Sequence, residues 1–229
     1  METTTFKIQK TLNSKLWDEN SELDSEARGA LLKIAGKFIS KIDIPKSSVK
    51  DIVLTGSLAN FNWSSYSDVD VHIIVVFANI EGEKKFIKNL LDDEKKLWNL
   101  EHHIEIKGFP VEMYVQDSSE TLVASGVFSL LQNKWVKTPT RKNVVIDMKM
   151  IRKKSAIFKN QIDLLEKNPD SERAKQIKAK LGQFRQCGLD EEGEFSTENL
   201  VFKLLRRDGY LEKLTSIRLE AFDDEMSLE

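Results

Sequence analysis

The sequence predicts a mixed β-sheet with flanking helices over residues 1–118 and an all-helical region over 119–229, an α/β (α+β) chain. Two observations carry this. Up to Asp117, β-rich runs alternate with helix-patterned ones in the order β-helix-β-helix-β, which builds a sheet with helices packed against it. After Asp117 the strand signals largely disappear, and apolar residues recur at helical spacing. No internal repeat or low-complexity linker separates the two regions.

Taken in order, Leu23, Ala27, Ala30, Leu31, Ile34, Phe38 and Ile42 mark an amphipathic helix over about 22–41. Pro45 and Ser47-Ser48 end it and lead into the strand Asp51-Ile52-Val53-Leu54. A Gly56-Ser57 turn follows, with Leu58 to Phe61 as a short helix and Trp63 to Ser67 as the loop back. Val69 to Phe77 is the strongest strand, and its near-continuous hydrophobicity predicts a central strand covered on both faces. Glu83 to Trp98 is helical, with Phe86, Leu90 and Leu97 on the inward face. His103–Ile106 and Val111–Val115 form a hairpin across Lys107-Gly108-Phe109-Pro110. Gly126 to Trp135 holds a compact apolar patch, and Pro139 breaks the chain. Helices then cover Val145–Glu166, Ser171–Gln186, Thr197–Arg207 (with Ser196 as N-cap and Gly209 as stop) and Tyr210–Phe222. Gly188 and Gly193 bracket an acidic loop, and Asp223-Asp224-Glu225 reads as a frayed tail.

With 40% hydrophobic and 31% charged residues the chain is globular rather than disordered. No apolar run is long enough to span a bilayer, and Met1–Thr5 has neither a basic nor a hydrophobic leader region. A cytoplasmic protein without membrane contact is the expectation. The lone Cys187 rules out an internal disulfide and fits a reducing compartment. One cysteine and three histidines do not supply a structural zinc site, so any metal is a hard ion held by oxygen. The net charge of −2 hides a segregation: residues 134–185 carry fifteen Lys/Arg against five Asp/Glu, and 190–229 carry five against twelve. A basic stretch of that kind suits a polyanion such as RNA or DNA; equally, it decorates solvated helices. Within it Lys149, Arg152, Lys153 and Lys154 share one helix.

Chemistry concentrates at Leu54-Thr55-Gly56-Ser57 and Ser67-Asp68-Val69-Asp70-Val71. Side chains alternate along a strand, so Asp68 and Asp70 project to one side, and two adjacent carboxylates call for a divalent cation. A helix beginning after the Gly-Ser turn would offer its N–H groups and positive end to phosphate. Phosphate cradle plus carboxylate pair is the minimal equipment for metal-assisted phosphoryl or nucleotidyl transfer.

Gly56-Ser57 followed by Asp68-x-Asp70, flanked by Val69 and Val71, resembles the signature of the polymerase β-type nucleotidyltransferase superfamily; the resemblance covers about residues 50–117. It implies a nucleotidyltransferase-like sheet and a third carboxylate from a later strand, for which Glu112, between Val111 and Met113, is the match. It further implies that Asp68, Asp70 and Glu112 are catalytic and hold Mg²⁺ in a two-metal site, with Mn²⁺ as substitute. Gly56 would leave room for phosphate, and Ser57, with Ser67 of the serine-rich loop, would complete nucleotide binding. The implied reaction moves an NMP from an NTP such as ATP to an acceptor hydroxyl, on nucleic acid, protein or small molecule, and releases pyrophosphate.

Plainer readings stand beside these. Asp68-x-Asp70 can cap local backbone at a strand start. Glu112 can lie on the exposed face of an edge hairpin, with Glu105 as its rival. His72 is a strand histidine on the Asp70 side, and Cys187 has no catalytic setting. The chain could also act chiefly by binding a protein partner, as a nucleotidyltransferase-like antitoxin or defence-module component. A P-loop NTPase and an α/β-hydrolase are unsupported, because neither Gly-x-x-x-x-Gly-Lys-Ser/Thr nor Gly-x-Ser-x-Gly occurs.

Overall fold

A computed structural model describes residues Phe6 to Leu228, which form two compact units: Lys7–Asn143, and 144–228 together with Phe6.

The first unit opens with α1 (Ser25–Lys41), whose N-cap Asp24 accepts a hydrogen bond from Ala27 N at 2.8 Å. It buries Ala27, Leu31, Ala35, Phe38 and Ile39, the stripe that the apolar spacing predicts. The sheet comprises β1 (Val49–Thr55), β2 (Val69–Val75), β3 (Glu105–Ile106), β4 (Phe109–Asp117), β5 (Val127–Ser129) and β6 (Lys134–Lys137), in the order β3-β4-β2-β1-β5-β6. β2 runs antiparallel to β1 and parallel to β4. The parallel pair needs a long crossover, and α2 (Lys84–Glu101) lies within it. The hairpin between β3 and β4 turns through Lys107 and Gly108, both at positive φ (53° and 84°), as a two-residue primed turn requires.

Four details differ from the sequence reading. First, β2 is central but not equally covered: Val69, Val71, Ile73 and Val75 are buried, whereas Asp70, His72 and Ile74 on the opposite face are half-buried. Second, α2 turns Ile87, Leu91 and Trp98 inward and leaves Phe86, Leu90 and Leu97 exposed, one position and about 100° away from the expected face. The rotation is set by Asn99, whose side chain exchanges hydrogen bonds with the backbone of Met113 (2.9 and 3.0 Å), and by Trp98, which packs on Phe38 at 5.3 Å.

Third, strands do not cease after Asp117. The apolar patch at Gly126–Trp135 supplies β5 and the start of β6, and β5 pairs with β1. Their pairing is held by non-local aromatics: Trp17 stacks on Trp135 at 4.6 Å and meets Phe128 edge-on at 5.1 Å, while its indole N–H donates to Leu58 O. Fourth, the predicted helix after Gly56 is a single 3-10 turn, Ser57–Ala59.

Asp117 closes β4 inside the unit. Burial alone would raise its carboxyl, but Lys84 Nζ (2.5 Å) and the Ser119 hydroxyl (2.6 Å) hold it well below the usual range. Asp117→Asn should cost about 1.5–3 kcal/mol at neutral pH in a denaturant melt. Most of that comes from the buried acceptor, since the Lys84 side chain is 61% exposed. A depressed carboxyl stabilises above its unfolded value of about 3.9, so the gap between wild type and mutant should close as pH falls below that value.

The second unit contains α3 (Met148–Lys167), α4 (Ser171–Glu191), α5 (Thr197–Arg207) and α6 (Tyr210–Met226). Asp147, Asp170 and Ser196 cap the first three through side-chain oxygens. Its core joins Ile151, Phe158, Ile162 and Leu165 of α3 to apolar residues of α4, α5 and α6. The tail run Asp223–Glu225 corrects the sequence reading, being helical within α6 rather than frayed. Gly188 likewise lies inside α4 rather than bounding a loop: a Cβ there would stand 2.6 Å from Ser196 Oγ, so its glycine permits close helix contact. Among the described residues no helix is long and apolar enough to cross a membrane.

Candidate active site

The half-buried face of β2 and β4 carries the predicted acids. In the parallel register Asp70 lies beside Glu112, His72 beside Tyr114 and Ile74 beside Gln116. Asp68, just before β2, completes a group whose ligand oxygens all lie within 4.8 Å of one another. Glu112 is therefore not on a solvent-facing edge, whereas its rival Glu105 is exposed on β3. Because β1 pairs Thr55 with Asp70, the turn at Gly56 is delivered to the same end of the sheet.

Gly56 has φ 74° and ψ −160°, a region open essentially to glycine alone. A Cβ at Gly56 would stand 1.7 Å from Asp70 Oδ2. The room left by the missing side chain is thus occupied by the Asp70 carboxylate, where the sequence reading reserved it for phosphate. The 3-10 turn that follows is too short to present a helix dipole, which removes the expected positive helix end.

Ser57 and Ser67 share a hydrogen bond between their hydroxyls at 2.7 Å, and Ser67 Oγ also accepts from Ser64 N at 3.0 Å. Ser67 is buried. The two serines close the loop between β1 and β2 on itself and so set the approach to Asp68.

Three carboxylates with no nitrogen or sulfur among them suit a hard divalent cation such as Mg²⁺ or Mn²⁺. The missing side chain at Gly56 gives the Asp70 carboxylate the space it takes up in that donor set. Asp68, Asp70 and Glu112 fit such an ion.

Behind the acids, sequence reasoning named His72 as a strand histidine but passed over Tyr114, Gln116 and Lys95. The Tyr114 phenol donates to Glu112 Oε2. Its ring stacks on His72 at 4.7 Å and 19°, with Lys95 Nζ 5.5 Å from the ring centroid. His72 Nδ1 lies 3.3 Å from Gln116 Oε1. Burial pushes the imidazole down to about 4, so it is neutral at physiological pH and acts as a strand residue. Burial, then the charges of Asp70 and Glu112, push the Tyr114 phenol well above its usual range. Period-two alternation from Glu112 through Tyr114 to Gln116 was the available signal, but only the register with β2 shows what those positions face.

The basic residues of 149–154 sit on α3 in the helical unit, and Lys154 is engaged by Glu198 at 2.6 Å. Cys187 is exposed, and the charge of nearby Glu191 pushes its thiol up, away from reactivity.

No protein-family model matches the chain, and no curated protein does. Among solved structures it is similar to a CdnE cyclic dinucleotide synthase of Elizabethkingia meningoseptica, solved with GTP and Apcpp: 17% identity, 88% of this chain and 78% of that one, TM-score 0.29. It is also similar to a STING-associated CdnE c-di-GMP synthase from Capnocytophaga granulosa: 12% identity, 88% and 84% coverage, TM-score 0.26. Scores this low carry no weight for function, which has to be read from the site.

Proposed function

We propose that the chain is a metal-dependent nucleotidyltransferase that moves an NMP from an NTP to an acceptor hydroxyl. The observation supporting this is the register of β2 and β4, which sets Asp70 beside Glu112 and, with Asp68, gathers three carboxylates within 4.8 Å. Mg²⁺ bound by these acids, with Mn²⁺ as substitute, would supply charge neutralisation at the triphosphate and acidify the attacking hydroxyl. Held by these acids, the ion would let the anionic α-phosphate approach carboxylates that would otherwise repel it. The acceptor oxygen bonds to the α-phosphorus as its bond to the bridging oxygen breaks. Pyrophosphate leaves, and the hydroxyl proton passes to a carboxylate of the triad. Gly56 keeps Asp70 in place, and the Ser57–Ser67 pair holds the loop against the nucleotide. RNA or DNA is the acceptor class that the basic stretch 134–185 favours, through phosphate contacts.

The test is incubation with Mg²⁺ and each α-labelled NTP, offering pooled tRNA, short DNA and aminoglycosides. Label should move to a nucleic acid. Transfer to an aminoglycoside would move the acceptor to small molecules. No transfer to any of these by folded protein would overturn the nucleic-acid acceptor and shift the reading toward a partner-binding role.

A further inference from the structure

We infer that Tyr114 is a positioning residue for Glu112: its hydroxyl holds one oxygen of that carboxylate, so that Glu112 meets a divalent cation in a single orientation. The inference rests on the metal-site reading above and deepens it.

A glutamate has three side-chain torsions, and a half-buried one on a sheet face gains nothing by holding one rotamer unless a partner fixes it. Tyr114 is that partner. It lies two residues along the same strand, hence on the same face, and donates to Oε2, leaving Oε1 clear of the phenol. The ring is itself constrained, stacked on His72 of the neighbouring strand, with Lys95 of α2 near its face. His72 is anchored by Gln116, the next residue on that face of β4. Gln116, His72, Tyr114 and Glu112 form a chain of contacts running along the two parallel strands toward the acids. Partners that orient a ligating group typically contribute 10–100-fold to metal affinity.

The measurement is Mn²⁺ binding to the full chain, followed by loss of the free-ion electron paramagnetic resonance signal. It compares wild type, Tyr114→Phe and Asp70→Asn. Phenylalanine keeps the ring against His72, and thermal midpoints check that both variants are folded. Tyr114→Phe should bind Mn²⁺ about 10–100-fold more weakly at an unchanged midpoint, and Asp70→Asn should lose the ion. Wild-type affinity in Tyr114→Phe, with binding lost in Asp70→Asn, would overturn the positioning role and leave the metal site standing. A wild type that takes up no Mn²⁺ would overturn the metal site itself, and this inference with it.

Discussion

Gly56→Ala should cost the protein both stability and activity. The backbone there has φ 74° and ψ −160°, where a side chain is strained by about 1–3 kcal/mol. The new methyl would also stand 1.7 Å from Asp70 Oδ2 and 2.7 Å from its Cγ. Asp70 is short and its Cβ lies only 3.1 Å from the same point, so relief requires the carboxylate to swing away from Asp68 and Glu112. A misplacement of about 1 Å at a reacting centre can cost roughly 100-fold. The expected result is nucleotidyl transfer down about 100-fold, with a lower thermal midpoint. Transfer at the wild-type rate would mean that the turn has no part in setting Asp70.

Asp70→Asn should act in the opposite sense on stability. Without a cation, the triad forces like charges within 4.8 Å, a repulsion of at least about 0.9 kcal/mol per pair even at the dielectric of water. Asparagine keeps the shape and removes the charge, so the thermal midpoint in chelator should rise. Activity should fall by at least about 10³-fold, since several kcal/mol of charge stabilisation is withdrawn and each 1.4 kcal/mol or so is a factor of ten. Chelator should silence the wild type, with recovery on adding Mg²⁺. The two substitutions thus distinguish a built metal site from an ordinary polar surface, in which losing one acid would change neither activity nor the midpoint in this direction.

Much of this was legible in the chain because it is local. The cap at Ser196, the apolar stripe of α1 and the alternation around Asp68 and Asp70 depend on neighbours within a few residues. Glu112 was reached only through its likeness to a family pattern, since its own neighbourhood allowed an exposed edge as readily. The rotation of α2 was not legible, because apolar residues flank both Phe86 and Ile87, and the choice between them is made by Asn99 on a strand backbone 14 positions away. Nor were β5 and β6: three- and four-residue strands carry little pattern, and these are held by Trp17, more than a hundred positions from Trp135.

By itself the sequence determined the sheet-and-helix character up to Asp117, the helices from Met148 onward, and the pair of acids with its glycine turn, because periodicity and turn chemistry act over a few residues. Tertiary structure alone decided that Glu112 stands beside Asp70, that Gly56 yields its side-chain space to a carboxylate, and that the Tyr114 ring stacks on His72. Each of these depends on strand register, and register is set by which distant segments pack together.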